Sequence, residues 1–146
     1  IGGGGADSIN GGDGFDIASY ETSTSLVRVA LWNPASNTGD AAGDTINFQV
    51  EVVRGSEFND NLQGNDQANI LRGGAGNDLI LGGFGDDTLE GGAGGDDYGG
   101  GDGFDVVSYA NAAGAVRIAL WNPALHTGEA AGDNIRADIE VVAGSS

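Results

Sequence analysis

Aspartates recur every nine residues in the second half of the chain, each within a glycine-rich segment. Asp78, Asp87, Asp96 and Asp105 are the sixth residues of four consecutive blocks that span residues 73–108. Glycine occupies the first, second and fourth positions of these blocks, and a β-former or an aromatic residue occupies the eighth. Glycine permits positive φ and close backbone approach, so these turns can direct carbonyl oxygens toward one point. Carboxylate and carbonyl oxygens are the ligands that calcium prefers, and the spacing therefore predicts cation binding.

The same nine-residue frame continues upstream in weaker form. Asn69 is neutral, and Asn65 and Gln67 stand where glycines would be expected, so we expect a weaker site there. The first two blocks are expected to need coils upstream of them for full coordination. The sixth residues of the four additional blocks are Asp7 (residues 2–10), Asp16 (11–19), Asp60 (55–63) and Asn69 (64–72).

The pattern GGxGxDxUx resembles the calcium-binding nonapeptide of the RTX family of bacterial secreted proteins. The resemblance implies an all-β fold, a right-handed parallel β-roll or β-solenoid, with several calcium ions bound in the turns. It also implies export by type I secretion from a Gram-negative bacterium and folding on calcium outside the cell. We therefore expect an extracellular calcium-binding repeat module with a structural or spacer role. We expect no enzyme activity and assign no catalytic residues.

Two blocks of turn and strand are expected to complete one coil, with parallel strands on two facing sheets. Eighth-position residues such as Leu71, Ile80 and Leu89 would point inward and form a thin core. One turn cannot supply the six to eight oxygens that calcium takes, so two turns stacked one coil apart are expected to share each ion. The stacked pairs are Asp60 with Asp78, Asp78 with Asp96, Asp87 with Asp105, and more weakly Asn69 with Asp87.

The expected metal ligands fall into three groups. The alternative for each carboxylate is a solvated side chain that favours turn geometry. Two degraded Gly-x-Asp-x-Ile turns contribute the weaker candidates Asp44 and Asp133. The main candidates are the sixth-position side chains Asp60, Asp78, Asp87, Asp96, Asp105, Asp7, Asp16 and Asn69, and the turn glycines Gly74, Gly76, Gly83, Gly85, Gly92, Gly94, Gly101 and Gly103.

Composition narrows the class of protein. The chain has 146 residues, 29 glycines, no cysteine and a formal net charge of −17. A nucleic-acid-binding domain is expected to be basic, so this charge argues against a nucleic-acid partner. Disulfides and thiolate metal sites are excluded, and no apolar run is long enough for a membrane span. Calcium is the expected cofactor and the main partner.

A second, longer repeat sets the domain organisation. Residues 11–56 align without a gap with residues 100–145, and the two copies share GGDGFD, SY, ALWNPA, AAGD and EVV. We expect one continuous β-roll array over residues 1–146, and neighbouring domains or repeats of a longer chain as partners. The nonapeptide repeats are expected at 2–19 and 55–108, and irregular coils of the 89-residue long repeat at 20–54 and 109–146.

Several residues of the irregular coils have an open role. Trp32 and Trp121 are equivalent in the long repeat and are expected on the outer face, packed on a loop. The alternative is an exposed aromatic side chain for a sugar or protein partner. Glu51 and Glu140 are expected to be solvent-facing strand residues. Two further function classes therefore stay open: a polysaccharide- or partner-binding module of adhesin type, and the accessory module of a secreted protease, lipase or epimerase.

Overall fold

The structure, a computed structural model, describes residues 2–118 and 126–144 of the chain. Within these ranges the regular elements are short β-strands and 3₁₀ turns, without an α-helix, and no helix could span a membrane. The 3₁₀ turns are Pro34–Ser36, Gly39–Ala41 and Gly128–Ala130. The strands are β1 (Ser8–Ile9), β2 (Ile17–Ser19), β3 (Arg28–Ala30), β4 (Thr45–Ile46), β5 (Val52–Arg54), β6 (Asn61–Gln63), β7 (Ile70–Ala75), β8 (Leu79–Phe84), β9 (Thr88–Ala93), β10 (Asp97–Asp102), β11 (Val106–Ser108), β12 (Asn134–Ile135) and β13 (Val141–Ala143).

The strands stack in parallel into sheets that share one core. One sheet has the order β13-β11-β9-β7-β5-β2, the other has the order β12-β10-β8-β6-β3, and β1 pairs with β4. From β5 to β13, consecutive strands alternate between the two larger sheets. A chain whose strands alternate between two sheets and pair with one another only in parallel winds as a β-roll. The predicted fold class is confirmed.

The register follows the nine-residue frame. Ile80 of β8 pairs with Leu62 of β6 on one side and with Tyr98 of β10 on the other. In the opposite sheet Leu71 pairs with Leu89. Successive coils of the nonapeptide region are therefore offset by 18 residues, the same separation that divides Asp60 from Asp78. The prediction that two blocks complete one coil is confirmed.

The core is one thin column of side chains between the sheets. Side chains alternate across a strand, so the eighth residue of each block faces inward while its neighbours face out. Burying a leucine-sized side chain contributes about 1.5–3 kcal/mol, and each half coil has only one. The prediction of an inward eighth position is confirmed, because these residues are 0 % exposed: Leu62, Leu71, Ile80, Leu89, Tyr98 and Val107.

The first irregular coil inserts an extra strand into the roll. Strand β3 pairs with β6 on one side, while on its other side Arg28 forms an antiparallel bridge with Thr38. Trp32 follows this strand on the outer face, as predicted, and is 62 % exposed. Its indole N–H donates to Oε1 of Gln63 at 2.9 Å. The equivalent Trp121 lies outside the described residues.

Candidate metal centre

The sixth-position side chains form two columns, because each of them immediately precedes a strand. Parallel strands in register bring the residues that precede them to the same edge of the sheet. One column contains Asp60, Asp78 and Asp96, which precede β6, β8 and β10. The other contains Asn69, Asp87 and Asp105, which precede β7, β9 and β11. The structure therefore brings together the pairs that the spacing predicts.

One carboxylate oxygen of each aspartate is used to join neighbouring coils. Oδ1 of Asp78 accepts a hydrogen bond from the backbone N–H of Asp60 at 2.8 Å, and Oδ1 of Asp96 accepts from Asp78 at 2.9 Å. In the second column Oδ1 of Asp87 accepts from Asn69 at 2.8 Å, and Oδ1 of Asp105 accepts from Asp87 at 3.0 Å. These bonds fix the direction in which the second oxygen of each carboxylate points.

That second oxygen has no partner at three central positions. Asp78, Asp87 and Asp105 are at most 2 % exposed, and Oδ2 of each has no hydrogen-bond partner among the described residues. A buried oxygen of a carboxylate without a compensating partner costs several kcal/mol of folding free energy. Three such atoms at repeat positions indicate a common missing partner, and the charge of a carboxylate requires that partner to be a cation or a donor.

At Asp78 and Asp87 the first glycine of the block leaves the space that the unpaired oxygen faces. A Cβ atom built on Gly73 would lie 2.0 Å from Oδ2 of Asp78 and 2.8 Å from the carbonyl oxygen of Gly91. Half a coil further along the chain, a Cβ on Gly82 would lie 2.2 Å from Oδ2 of Asp87 and 2.6 Å from the carbonyl oxygen of Gly100. A carboxylate oxygen and a carbonyl oxygen of the next coil thus converge on a cradle that only glycine keeps open.

The second and fourth glycines shape the turn itself. Gly74 and Gly76 have φ of 120° and 115°, a region that L-residues rarely adopt. They also allow coils to stack closely, because a Cβ on Gly92 would lie 2.1 Å from the carbonyl oxygen of Gly74. Positive φ recurs at the remaining glycines predicted as ligands, which are Gly83, Gly85, Gly92, Gly94, Gly101 and Gly103.

Burial and mutual repulsion make the columns electrostatically unfavourable without a counter-charge. Burial raises the pKa of Asp78 to about 7, and the charges of Asp96 and Asp60 add to this against the lowering effect of the Asp60 amide. Burial and the charge of Asp105 likewise raise the pKa of Asp87 to about 7, and burial raises that of Asp96 to about 6. A bound cation would counter these shifts, because its charge favours the ionised form of each buried carboxylate.

The donor set fits calcium. Within residues 2–118 and 126–144 no three acidic or histidine side chains form a group that could hold a metal ion. Side chains therefore cannot complete a coordination shell, and main-chain oxygens of the glycine turns must supply the rest. Calcium accepts six to eight carboxylate and carbonyl oxygens in flexible geometry, whereas magnesium demands a near-octahedral shell and keeps several waters.

Comparison with known families agrees with this geometry. The sequence profile of the RTX calcium-binding nonapeptide repeat matches residues 1–18, 54–89 and 73–107, with four copies. The chain carries the calcium-binding repeats of the RTX family. It is a calcium-binding repeat module of a bacterial protein, of a family whose members are secreted and whose repeats are typically structural. No curated protein matches the chain at a significant level.

The first RTX column continues beyond the matched residues. Asp44 lies immediately before β4 and is 3 % exposed, and its Oδ1 accepts from the backbone N–H of Asp7 at 2.8 Å. Asp133 lies immediately before β12 and is 1 % exposed, and its Oδ1 accepts from Asp96 at 2.9 Å. Asp133 therefore extends the first column through β12, whereas Asp44 makes the equivalent contact with Asp7 in the separate β1–β4 sheet.

The second RTX column continues through glutamates that the sequence reading missed. Glu51 and Glu140 were expected to be solvent-facing strand residues; Glu140 is exposed and Glu51 half-buried, but the placement within a strand is wrong. Each immediately precedes a strand, and its Oε2 accepts from a backbone N–H, of Asp16 at 2.8 Å and of Asp105 at 2.7 Å. The signal was present in the sequence. In Glu-Val-Val the acid stands two residues before an apolar residue, which is the spacing between the sixth and eighth residues of the nonapeptide.

Proposed function

We propose that this chain is a calcium-dependent folding module, which stays unfolded during export and becomes a rigid β-roll on binding calcium outside the cell. The observation that supports the proposal most strongly is the unpaired, buried Oδ2 of Asp78, Asp87 and Asp105 beside a glycine cradle. When calcium is bound, it supplies the positive charge that lets the carboxylates remain ionised in the folded chain.

The ligands we propose lie in successive turns of each column. Asp78 and Asp87 present an oxygen to the cradle, and the neighbouring turns contribute Asp60, Asp96 and Asp105. Carbonyl oxygens of the turn glycines complete each shell, since no third acidic side chain is at hand in the described parts of the chain. A site built from two turns forms only when both coils are in place, so binding free energy acts as folding free energy.

The charge of the chain supports the coupling of folding to calcium. A net charge of −17 opposes compaction, and the thin core offers little apolar burial to offset it. Low calcium inside a Gram-negative cell would keep the chain extended for type I secretion, and higher calcium outside would fold it. The folded roll would then act as a spacer or as a support for neighbouring repeats or for a secreted protease, lipase or epimerase domain.

A binding role is the second candidate, and one surface favours it. Trp32 is 62 % and Phe48 is 71 % exposed, and together they line an open cleft with Asn65 and Gln67. Exposed aromatic faces beside amide side chains are suited to a neutral polysaccharide or a protein partner. A saturable change in tryptophan emission with an oligosaccharide, lost in Phe48→Ala with the β signal retained, would place this role above the spacer role.

Calorimetric calcium titration of Asp87→Asn tests the proposed function, with Asp66→Asn as the matched control. Both residues are turn aspartates of the nonapeptide region, but Asp87 is 1 % exposed whereas Asp66 is exposed. We expect Asp87→Asn to lower the number of bound ions and Asp66→Asn to leave it unchanged. Equal ion numbers in the parent chain and in Asp87→Asn would contradict the proposed sites.

A further inference from the structure

Two tyrosine–aspartate pairs recur at the same place in both copies of the long repeat. The hydroxyl of Tyr20 donates to Oδ2 of Asp44 at 2.6 Å, and the hydroxyl of Tyr109 donates to Oδ2 of Asp133. All four side chains are buried, between 0 % and 3 % exposed. Each pair is separated by 24 residues in sequence, so the contact belongs to the irregular coil that lies between its members.

The paired aspartates occupy the same structural position as the proposed calcium ligands. Oδ1 of Asp44 and of Asp133 accepts from the backbone of the preceding coil, as Oδ1 of Asp78 does. The difference lies in the second oxygen. Oδ2 of Asp78 and of Asp87 has no partner among the described residues, whereas at Asp44 and Asp133 a phenol donates to the corresponding atom. At Asp96 the hydroxyl of Tyr98 reaches the same atom only at 3.4 Å, against 2.6 Å for Tyr20 and Asp44.

The tyrosine side chain also fills the space that is open elsewhere. A Cβ built on Gly2 would lie 2.5 Å from Cε1 of Tyr20 and 2.8 Å from Oδ2 of Asp44. At Gly73 and Gly82 the nearest atoms to such a Cβ are instead the carboxylate oxygen itself and a carbonyl oxygen. At Gly2, therefore, the ring of Tyr20 occupies the space that stays open at Gly73 and Gly82. Among the nonapeptides, Gly91 has a tyrosine in this space as well, because its Cβ would lie 2.2 Å from the hydroxyl of Tyr98.

We propose that Tyr20 and Tyr109 take the place of calcium at Asp44 and Asp133, so that each irregular coil joins the roll through a hydroxyl and not through an ion. The inference rests on the proposed calcium binding in the nonapeptide turns and revises the weaker calcium sites expected at these two aspartates. A neutral donor satisfies one carboxylate oxygen without bringing further carbonyl oxygens together, which suits a turn that lacks the full set of glycines. In each irregular coil the hydroxyl that takes the place of the ion comes from a residue 24 positions away in sequence.

The number of bound ions tests this assignment. Asp44→Asn and Asp133→Asn keep the shape of the side chain and remove its charge, as Asp87→Asn does. We expect the parental number of calcium ions in the first two variants and a number lower by at least one in the third. Loss of an ion from Asp44→Asn would overturn this inference while leaving the proposed function intact. Absence of calcium binding by the parent chain would instead overturn the proposed function.

A double-mutant cycle provides a second readout in case a single variant folds poorly. Tyr20→Phe removes only the hydroxyl. The midpoint of thermal unfolding in saturating calcium is measured for the parent chain, for Tyr20→Phe, for Asp44→Asn and for the double variant. Groups that share one hydrogen bond show non-additive effects. The midpoint of the double variant should therefore fall by clearly less than the sum of the decreases in the two single variants. Additive shifts would overturn the pairing.

Discussion

Replacing Gly82 by alanine should close one calcium cradle, because the new Cβ displaces a carboxylate oxygen and crowds the carbonyl oxygen of Gly100 at 2.6 Å. The new Cβ would lie 2.2 Å from Oδ2 of Asp87, whereas real contacts of Cβ essentially never fall below 3.0 Å, so the oxygen must move by about 0.8 Å. Calcium–oxygen distances span only about 2.3–2.6 Å, and a displacement of this size removes the ligand. We expect the calcium concentration at the folding midpoint to rise on the order of tenfold or more, equivalent to about 1.4 kcal/mol for each factor of ten.

Gly114→Ala is the matched control for this substitution. A Cβ on Gly114 would meet no atom of the described residues within 4 Å, and neither Gly82 nor Gly114 has a positive φ that alanine would strain. Both variants lose the same conformational freedom of the unfolded chain, which by itself contributes about 0.4–1 kcal/mol of stability. The assay is circular dichroism during calcium titration of the three proteins. Equal midpoints for Gly82→Ala and Gly114→Ala would refute the cradle.

Three further predictions follow from the columns and from the outer face. In calorimetric titrations Asp78→Asn should bind fewer calcium ions than the parent chain, since its oxygens face two successive turns; an unchanged number would contradict the shared sites. In chelator the β signal should increase as the pH falls from about 8 to about 5. The pKa of Asp78, raised to about 7 mainly by burial, exceeds the unfolded value near 3.9, so this stabilisation is complete below the unfolded pKa and is lost as the pH rises through about 7; a β signal that falls on acidification would contradict it. In a Trp121→Phe background, the emission of Trp32 should shift together with the β signal during calcium titration, because β3 pairs with β6 and the indole bonds Gln63; a shift that precedes folding would argue for a separate site.

The repeating part of the fold could be predicted from the sequence because its contacts are periodic. A nine-residue frame fixes which side chain faces inward, and Leu62, Ile80 and Tyr98 stack as that frame requires. The same frame placed Asp78 one coil from Asp60 and from Asp96, and the structure brings these residues together.

The irregular coils could not be predicted to the same depth, because their contacts have no period. The bond between Tyr20 and Asp44 spans 24 residues, and nothing local in the sequence indicates that a tyrosine reaches a turn that far away. The position of strand β3 beside β6 depends on how residues 31–44 return the chain, which no local pattern indicates. Glu51 was misplaced because a longer side chain reaches the same hydrogen bond as an aspartate from a turn without the glycine pattern.

The coupling of folding to calcium is tested most directly by far-ultraviolet circular dichroism of the chain at pH 8, in excess chelator and after addition of calcium. With buried carboxylates unpaired and a net charge of −17, we predict an unfolded spectrum in chelator and a β-rich spectrum in calcium, with one cooperative transition between them. Magnesium at the same concentration should not produce the β-rich spectrum. A native β-rich spectrum that persists in excess chelator would contradict the account.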